Sequence, residues 1–209
     1  MGQLDKYSRA VTSRRCSSSI AQSSAPGVSV PDHNAPNAIL PDVLGPNLRV
    51  IFCGTAASNV SAKLEAYYAH PHNKFWRILS ETRLTPRQLK PHEFMLMLGF
   101  GYGLTDLCKQ ASGTDNQIPK VTSAQRAELH EKILSHQPTF LAFTSLEAGK
   151  RYCGNRVALG AQTTRIGRTQ LYILPSTSLN AAWNWKATKH HWQAFAALAS
   201  ANDDRSTDA

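Results

Sequence analysis

The stretch Leu48–Gly54 reads LRVIFCG, a short apolar run that ends at a glycine. Near-continuous apolar runs of this length are typical of strands that are buried on both faces of a sheet. The run therefore predicts a buried strand that leads into a loop. Helical apolar spacing follows at 75–79 and again at 87–98, where Thr85 and Pro86 suit a cap and a first helical position.

The alternation of strand and helix patterns continues towards the carboxyl terminus. Helices are predicted at 123–135, 146–152 and 186–200, and strands at 139–144 and 170–174. Alternating elements with near-continuous apolar strands predict an α/β fold, a three-layer α/β/α sandwich with a mainly parallel central sheet. Ligands bind such sheets outside the carboxyl ends of the strands. The segments after Cys53 and Leu174 are therefore candidates for a site.

The composition of the chain changes along its 209 residues. Residues 1–40 are rich in Ser, Ala, Pro and Asn and lack the large apolar residues that offset the entropy cost of ordering. We expect a flexible amino-terminal tail at 1–40, one catalytic domain at 41–200 and a polar carboxyl-terminal tail at 201–209.

The chain is basic, with 23 Lys and Arg against 14 Asp and Glu and a formal net charge of +9. Such a charge favours a polyanionic partner such as nucleic acid, although many basic proteins carry it only for solubility. No apolar run approaches the roughly 18 residues that span a bilayer, so we expect no membrane partner.

The four cysteines, Cys16, Cys53, Cys108 and Cys153, are scattered and form no CxxC pair. This spacing predicts reduced thiols, no bound metal and a cytosolic location, in the cytosol or nucleoid of a bacterial-type cell. Cys53 and Cys108 lie in apolar stretches and are predicted to be core residues.

Four motifs occur in a fixed order along the chain. They are GTAAS at Gly54–Ser58, YYAHPHNKFW at Tyr67–Trp76, the turn Gly103–Thr105, and LPSTSLN at Leu174–Asn180. With these motifs the sequence resembles the mismatch-specific uracil and thymine-DNA glycosylases of the uracil-DNA glycosylase superfamily, from about Pro41 to Leu198. The resemblance implies a monomeric, monofunctional glycosylase without a cofactor, which flips uracil and other deaminated or damaged bases out of DNA and hydrolyses the N-glycosidic bond.

The sequence departs from this family at both signature positions. Ala56 stands where the family usually has the Asn that positions the attacking water. Ser176 stands where the family usually has a His or Asn that binds the oxygen of the leaving base. Cleavage creates an oxocarbenium-like sugar and an anionic base, which need a negative partner and hydrogen-bond donors. Either another side chain compensates, or the protein binds uracil or abasic DNA without cutting it.

Asp106 is the first candidate for the compensating group, because a carboxylate can orient water and stabilise the cationic sugar. It is predicted to lie on a glycine-rich loop at 99–106, where the alternative role is that of a turn or cap residue. Asn73 is the second candidate, and its alternative role is to fix the turn between Pro71 and a helix that begins at Phe75. A third interpretation, an α/β hydrolase for small nucleotides, lacks a Ser-His-Asp order.

The resemblance also implies a substrate pocket and a DNA-binding segment. The pocket residues are Gly54, Thr55, Ala56, Tyr68 and Ser176. Tyr68 would stack on the flipped base, unless it is a core aromatic residue. The small side chains of Ala56 and Ser176 imply a roomy pocket.

The DNA-binding residues are predicted to be Ser178, Leu179, Asn180, Lys186 and Lys189. Leu179 would fill the space that the extruded nucleotide leaves in the base stack, unless it is a core leucine before a helix. The two lysines would contact phosphates, or would simply form a solvated helix face.

Overall fold

The computed structural model describes residues 37–201, apart from the side chains of residues 182 and 183. Most of the two predicted tails lies outside this range. The folded part begins before the predicted boundary at residue 40. The Leu40 side chain is buried, and the Ile39 N–H donates to the Lys109 carbonyl at 2.8 Å.

Five strands form one sheet in the order β2-β1-β3-β5-β4. The strands are β1 (Val50–Ala57), β2 (Tyr102–Ser112), β3 (Phe140–Phe143), β4 (Gly160–Ile166) and β5 (Thr169–Ile173). β1 is parallel to β2 and β3, β3 is parallel to β5, and only β4 among these strands is antiparallel to its neighbour. The predicted, mainly parallel sheet is confirmed.

Helices cover both faces of the sheet. The α-helices are α1 (Asn59–Lys63), α2 (Phe75–Glu81), α3 (Ser123–His136), α4 (Leu146–Cys153), α5 (Trp185–Thr188) and α6 (His190–Ala201). On one face, Phe52 of β1 packs against Phe75 of α2 and Trp192 of α6. On the other face, Ile51 of β1 belongs to a cluster that includes Ile133 of α3. These two clusters make the molecule a three-layer α/β/α sandwich.

The segment between α2 and β2 differs from the prediction. The predicted helix at 87–98 is a 3₁₀ helix at Pro91–Phe100. It begins only at Pro91, because the residue before a proline is driven into extended backbone, as Lys90 is here with ψ 151°. The predicted loop at 99–106 is only a tight turn at Gly101, where φ is 74°, and β2 begins at the next residue. Asp106 therefore lies inside a strand.

Other elements also differ from the prediction. β1 runs on to Ala57 instead of ending at Gly54, because it stays paired with β2. The edge strand β4 was not predicted, since its sequence GAQTTRI is polar and largely exposed. The predicted helix at 186–200 is divided into α5 and α6, preceded by a 3₁₀ helix at Leu179–Asn184.

Candidate functional site

A pocket of about 330 Å³ opens at the carboxyl ends of β1, β3 and β5, where a parallel sheet is expected to bind its ligand. Its walls come from the last residues of β1, from the residues that follow β1, β3 and β5, from the segment before α2, and from β2. The lining includes Thr55, Ala56, Thr144, Ser145 and Ser176. The pocket is therefore mostly lined by small polar side chains.

Asp106 contributes a buried carboxylate to this pocket. Asp106 is 7% exposed, and in the pairing of β1 with β2 it lies opposite Gly54. A β-carbon added to Gly54 would overlap Asp106 Oδ1, so the glycine leaves the space that the carboxylate occupies. Within residues 37–201 no hydrogen bond to this carboxylate is formed. A turn or cap role for Asp106 is therefore wrong, because the residue lies within β2.

Burial raises the pKa of Asp106 to about 7, and the Asp42 carboxylate adds to this rise. The ammonium group of Lys109 acts in the opposite direction and lowers the pKa. Desolvation dominates because a charge loses its hydration when it is buried. Near neutral pH both protonation states of Asp106 are therefore populated, as suits a group that exchanges protons during a reaction.

Asn73 lines the same pocket and also holds the turn before α2. Its Oδ1 accepts a hydrogen bond from the Phe75 N–H at 3.0 Å, and its own N–H donates to the His70 carbonyl at 2.8 Å. The structural role expected as the alternative is thus present. Since the oxygen is occupied, the side chain offers its NH₂ group to the pocket, and this group is a donor.

Tyr68 and Tyr67 both border the pocket, and Tyr67 also belongs to the buried core. The Tyr68 ring stacks on Phe75 with centroids 3.8 Å apart, and its hydroxyl lies 3.1 Å from Thr144 Oγ1. Its φ of 52° is unusual for an aromatic residue. Hydrogen bonds fix the backbone on either side of Tyr68. Trp76 Nε1 donates to the Tyr67 carbonyl at 3.0 Å, and the Ala69 N–H donates to Ser61 Oγ at 3.1 Å. Such strain is typical of functional positions.

The segment after β5 forms the rim of the pocket. The Ser176 hydroxyl lies 3.0 Å from the Ser178 hydroxyl and accepts from the Ser178 N–H at 3.3 Å. Leu179 is 50% exposed, so it is not a core leucine, and Asn180 beside it is also exposed. Both line the pocket together with the two serines.

The two predicted phosphate contacts lie farther along the chain. Lys186 is exposed on α5, and Lys189 is half-buried at the end of that helix. Neither side chain lines the pocket. The structure does not bring them to the site, and both the phosphate role and the solvated-face role remain predictions.

Sequence reasoning missed two parts of the pocket. Thr144 and Ser145 follow β3, and the rule on carboxyl ends of strands would have found them if it had been applied to this strand as well. The loop Gly113–Asp115 forms another wall, and Arg151 of α4 fixes it by donating to the Asp115 carbonyl at 2.6 Å. No sequence signal marks that contact, because it joins residues 36 positions apart.

No group of three or more His, Cys, Asp or Glu side chains within residues 37–201 could hold a metal ion. In the same range, no helix is both long enough and apolar enough to cross a bilayer. Cys53 and Cys108 are buried free thiols, as predicted.

Two comparisons with known proteins agree with this geometry. The family model of the uracil DNA glycosylase superfamily matches residues 41–199. The fold is similar to the solution NMR structure of a candidate uracil DNA glycosylase from Methanosarcina acetivorans, with a TM-score of 0.51 and 19% sequence identity over 77% of this chain and 94% of that one. The match of the family model covers most of the chain and includes every strand of the sheet. The chain therefore belongs to the uracil-DNA glycosylase superfamily.

Proposed function

We propose that this protein is a monofunctional DNA glycosylase that removes uracil from DNA, and that Asp106 is its principal catalytic residue. The observation that carries this proposal is the Asp106 carboxylate, which is buried on the wall of the pocket and has no hydrogen bond within residues 37–201. A buried carboxylate without such bonds is costly for folding. Function is the usual reason for keeping one.

In the proposed reaction, the bond between N1 of uracil and C1′ of the sugar breaks, and the base leaves with the electron pair. The ionised carboxylate of Asp106 stabilises the positive charge that develops on the sugar. It then accepts a proton from the water that attacks C1′. The proton that Asp106 has accepted then returns to N1 of the uracil anion, directly or through solvent, which gives the neutral base, an abasic site and the regenerated carboxylate. No step requires a side-chain group at Ala56.

The flipped base is proposed to stack on the open face of the Tyr68 ring, whose other face is covered by Phe75. Burial raises the pKa of Tyr68 well above its usual value, so its hydroxyl stays protonated and neutral at physiological pH. The Asn73 NH₂ group and the Ser176 hydroxyl are the donors proposed for the oxygens of the leaving base. An anionic leaving group is best stabilised by donors of this kind.

The partner is proposed to be DNA that contains uracil or a related lesion. The net charge of +9 favours a phosphate backbone, and Leu179 on the rim of the pocket can take the place of the extruded nucleotide. Other damaged bases are proposed as further substrates, since Ala56 and Ser176 leave room in a pocket of about 330 Å³.

The experiment is single-turnover excision from a uracil-containing oligonucleotide, followed by alkali and a denaturing gel. We expect Asp106→Asn to lower the rate by roughly a hundredfold or more while DNA binding is retained, since each 1.36 kcal/mol is about a factor of ten. Asp115→Asn is the matched control, because this carboxylate is exposed at the edge of the same pocket.

Two results would contradict the proposal. A rate for Asp106→Asn within a few-fold of the wild-type rate would show that another group activates the water, and Asn73→Ala would then be measured next. A stoichiometric gel shift without any cleavage by the wild-type protein would favour a non-catalytic protein that binds uracil or abasic sites.

A further inference from the structure

A buried lysine lies three residues beyond Asp106 on the same strand. Lys109 is 5% exposed, and its ammonium group has been removed from water. Burying such a group costs several kcal/mol unless charged and polar partners surround it. A lysine retained in this position therefore needs an explanation, which its contacts supply.

Lys109 belongs to a charged network behind the pocket. Its Nζ lies 2.6 Å from Asp42 Oδ1, and the Nζ of Lys132 lies 2.7 Å from Asp42 Oδ2. Thr105 Oγ1 also donates to Asp42 Oδ1, at 2.7 Å. Glu128 pairs with Lys132 from a side chain that is 41% exposed. The buried part of the network thus holds two cations and one anion.

The charges of this network balance without Asp106. Lys109 and Lys132 carry two positive charges, and Asp42 and Glu128 carry two negative charges. Ionised Asp106 is therefore an additional negative charge beside a neutral set, and its stability depends on which cation acts on it directly. That cation is Lys109, which lowers the pKa of Asp106.

Lys109 is placed to act on the pocket side of this network. Its Nζ donates to the Tyr67 hydroxyl at 3.1 Å, and that hydroxyl donates to the Pro41 carbonyl at 3.1 Å. Tyr67 and Asp106 both line the pocket. The ammonium group is therefore fixed by Asp42 on one side and by a residue of the pocket wall on the other.

The remaining titratable groups that act on Asp106 are neutral at physiological pH. They are Tyr67, Tyr68, Cys53 and Cys108, and burial raises the pKa of each above its usual value. Asp42 opposes the ionisation of Asp106, and Lys109 favours it. Among residues 37–201, Lys109 is thus the cation that acts on this carboxylate.

From this arrangement we infer that Lys109 is a positioning residue for base excision, whose ammonium group, held by Asp42 and Tyr67, stabilises the ionised carboxylate of Asp106. The inference rests on the proposed function, because it assumes that the ionised form of Asp106 is the active one. Lys109 touches neither the substrate nor the reacting atoms. Its effect reaches the reaction only through Asp106.

The test compares Lys109→Met with Lys132→Met in the full-length protein. Both lysines are buried to the same degree, and both pair with Asp42, but only Lys109 acts on Asp106. Excision of uracil is measured from pH 5 to 9, and the carboxyl ¹³C signal of Asp106 is titrated by NMR. That signal is assigned as the one missing from Asp106→Asn.

We expect Lys109→Met to move both midpoints up by roughly one pH unit. The rate should recover at the highest pH, and Lys109→Arg should keep the wild-type midpoint. Lys132→Met should lose stability without moving either midpoint. If Lys109→Met does not fold, Lys109→Gln takes its place, because an amide can hydrogen-bond to Asp42 and Tyr67 without carrying a charge, and the same upward shift of both midpoints is expected.

Equal midpoints for Lys109→Met and the wild type would overturn the inference, as would equal shifts for the two lysine variants. A lower plateau with an unchanged midpoint would show a purely structural role and would overturn it as well. The NMR titration needs no catalysis. If the wild-type protein excises no uracil, the proposed function fails, and the titration alone decides whether Lys109 acts on Asp106.

Discussion

Replacing Asp106 by Asn should remove a loss of stability that the wild-type fold undergoes as the pH rises to neutral, although it is expected to slow excision by roughly a hundredfold or more. The pKa of Asp106 rises from 3.8 to about 7 on folding, so the folded state binds a proton more tightly than the unfolded state does. Its stability is therefore greatest when the group is protonated, and is lost as the pH rises from about 4 to about 7. The Asn variant has no carboxyl group at this position, so its stability does not decrease with pH for this reason.

The size of the effect follows from the same shift. A change of about three pKa units, at 1.36 kcal/mol each, makes the ionisation of Asp106 cost on the order of 4 kcal/mol above pH 7. About two of these units lie between pH 5 and pH 7. The difference in free energy of unfolding between the Asn variant and the wild type should thus grow by roughly 3 kcal/mol between pH 5 and pH 8.

The measurement is urea unfolding of both proteins at several pH values. Only the pH-dependent part of the difference is used, because a buried amide carries its own constant cost. Asp115→Asn is again the control, because its side chain is exposed at the edge of the same pocket. A flat difference for Asp106→Asn would refute the reasoning, because it would show that folding does not perturb this carboxyl group.

Two further predictions concern other residues of the site. Gly54→Ala should lower single-turnover excision by roughly a hundredfold or more, because the new β-carbon would displace Asp106 Oδ1, whereas Gly99→Ala should leave the rate unchanged because a β-carbon there meets no atom within 4 Å. A rate for Gly54→Ala within a few-fold of the wild-type rate would mean that the carboxylate need not occupy this place. Leu179→Ala should slow excision from duplex DNA much more than from single-stranded DNA, because Leu179 is 50% exposed on the rim and a wedge matters only where a base leaves a stack. Equal losses on the two substrates would argue against a wedge.

The layers of the fold could be predicted because its buried strands are apolar runs. β1, β3 and β5 each carry a near-continuous hydrophobic stretch, and the structure buries β3 completely. β4 could not be found in this way, since an edge strand facing solvent needs no apolar side chains. The 3₁₀ helix at Pro91–Phe100 was predicted as an α-helix because both have similar apolar spacing over a few turns.

The outline of the site could be predicted where it is local in sequence. Tyr68, Asn73 and Ser176 belong to motifs of the resemblance, and all three line the pocket. The contact between Lys109 and Asp42 spans 67 positions and has no local signal. Asp106, the first catalytic candidate, lines the pocket, but the sequence placed it on a loop instead of a strand, because the glycines at 99–103 are typical of turns.

The position of Asp106 inside β2 bears on the most puzzling feature of the sequence, the alanine at position 56. In the β1–β2 register, Gly54 pairs with Asp106 and Ala56 pairs with Cys108, so the two strands run side by side along the pocket wall. A side chain of β2 can therefore reach over Gly54 into the space beside the end of β1. On the proposed function, the negative partner of the sugar comes from the neighbouring strand, and the missing asparagine of the first motif is compatible with catalysis. A glycine at position 54 is then a requirement of the chemistry, because any larger residue would occupy the place of the carboxylate.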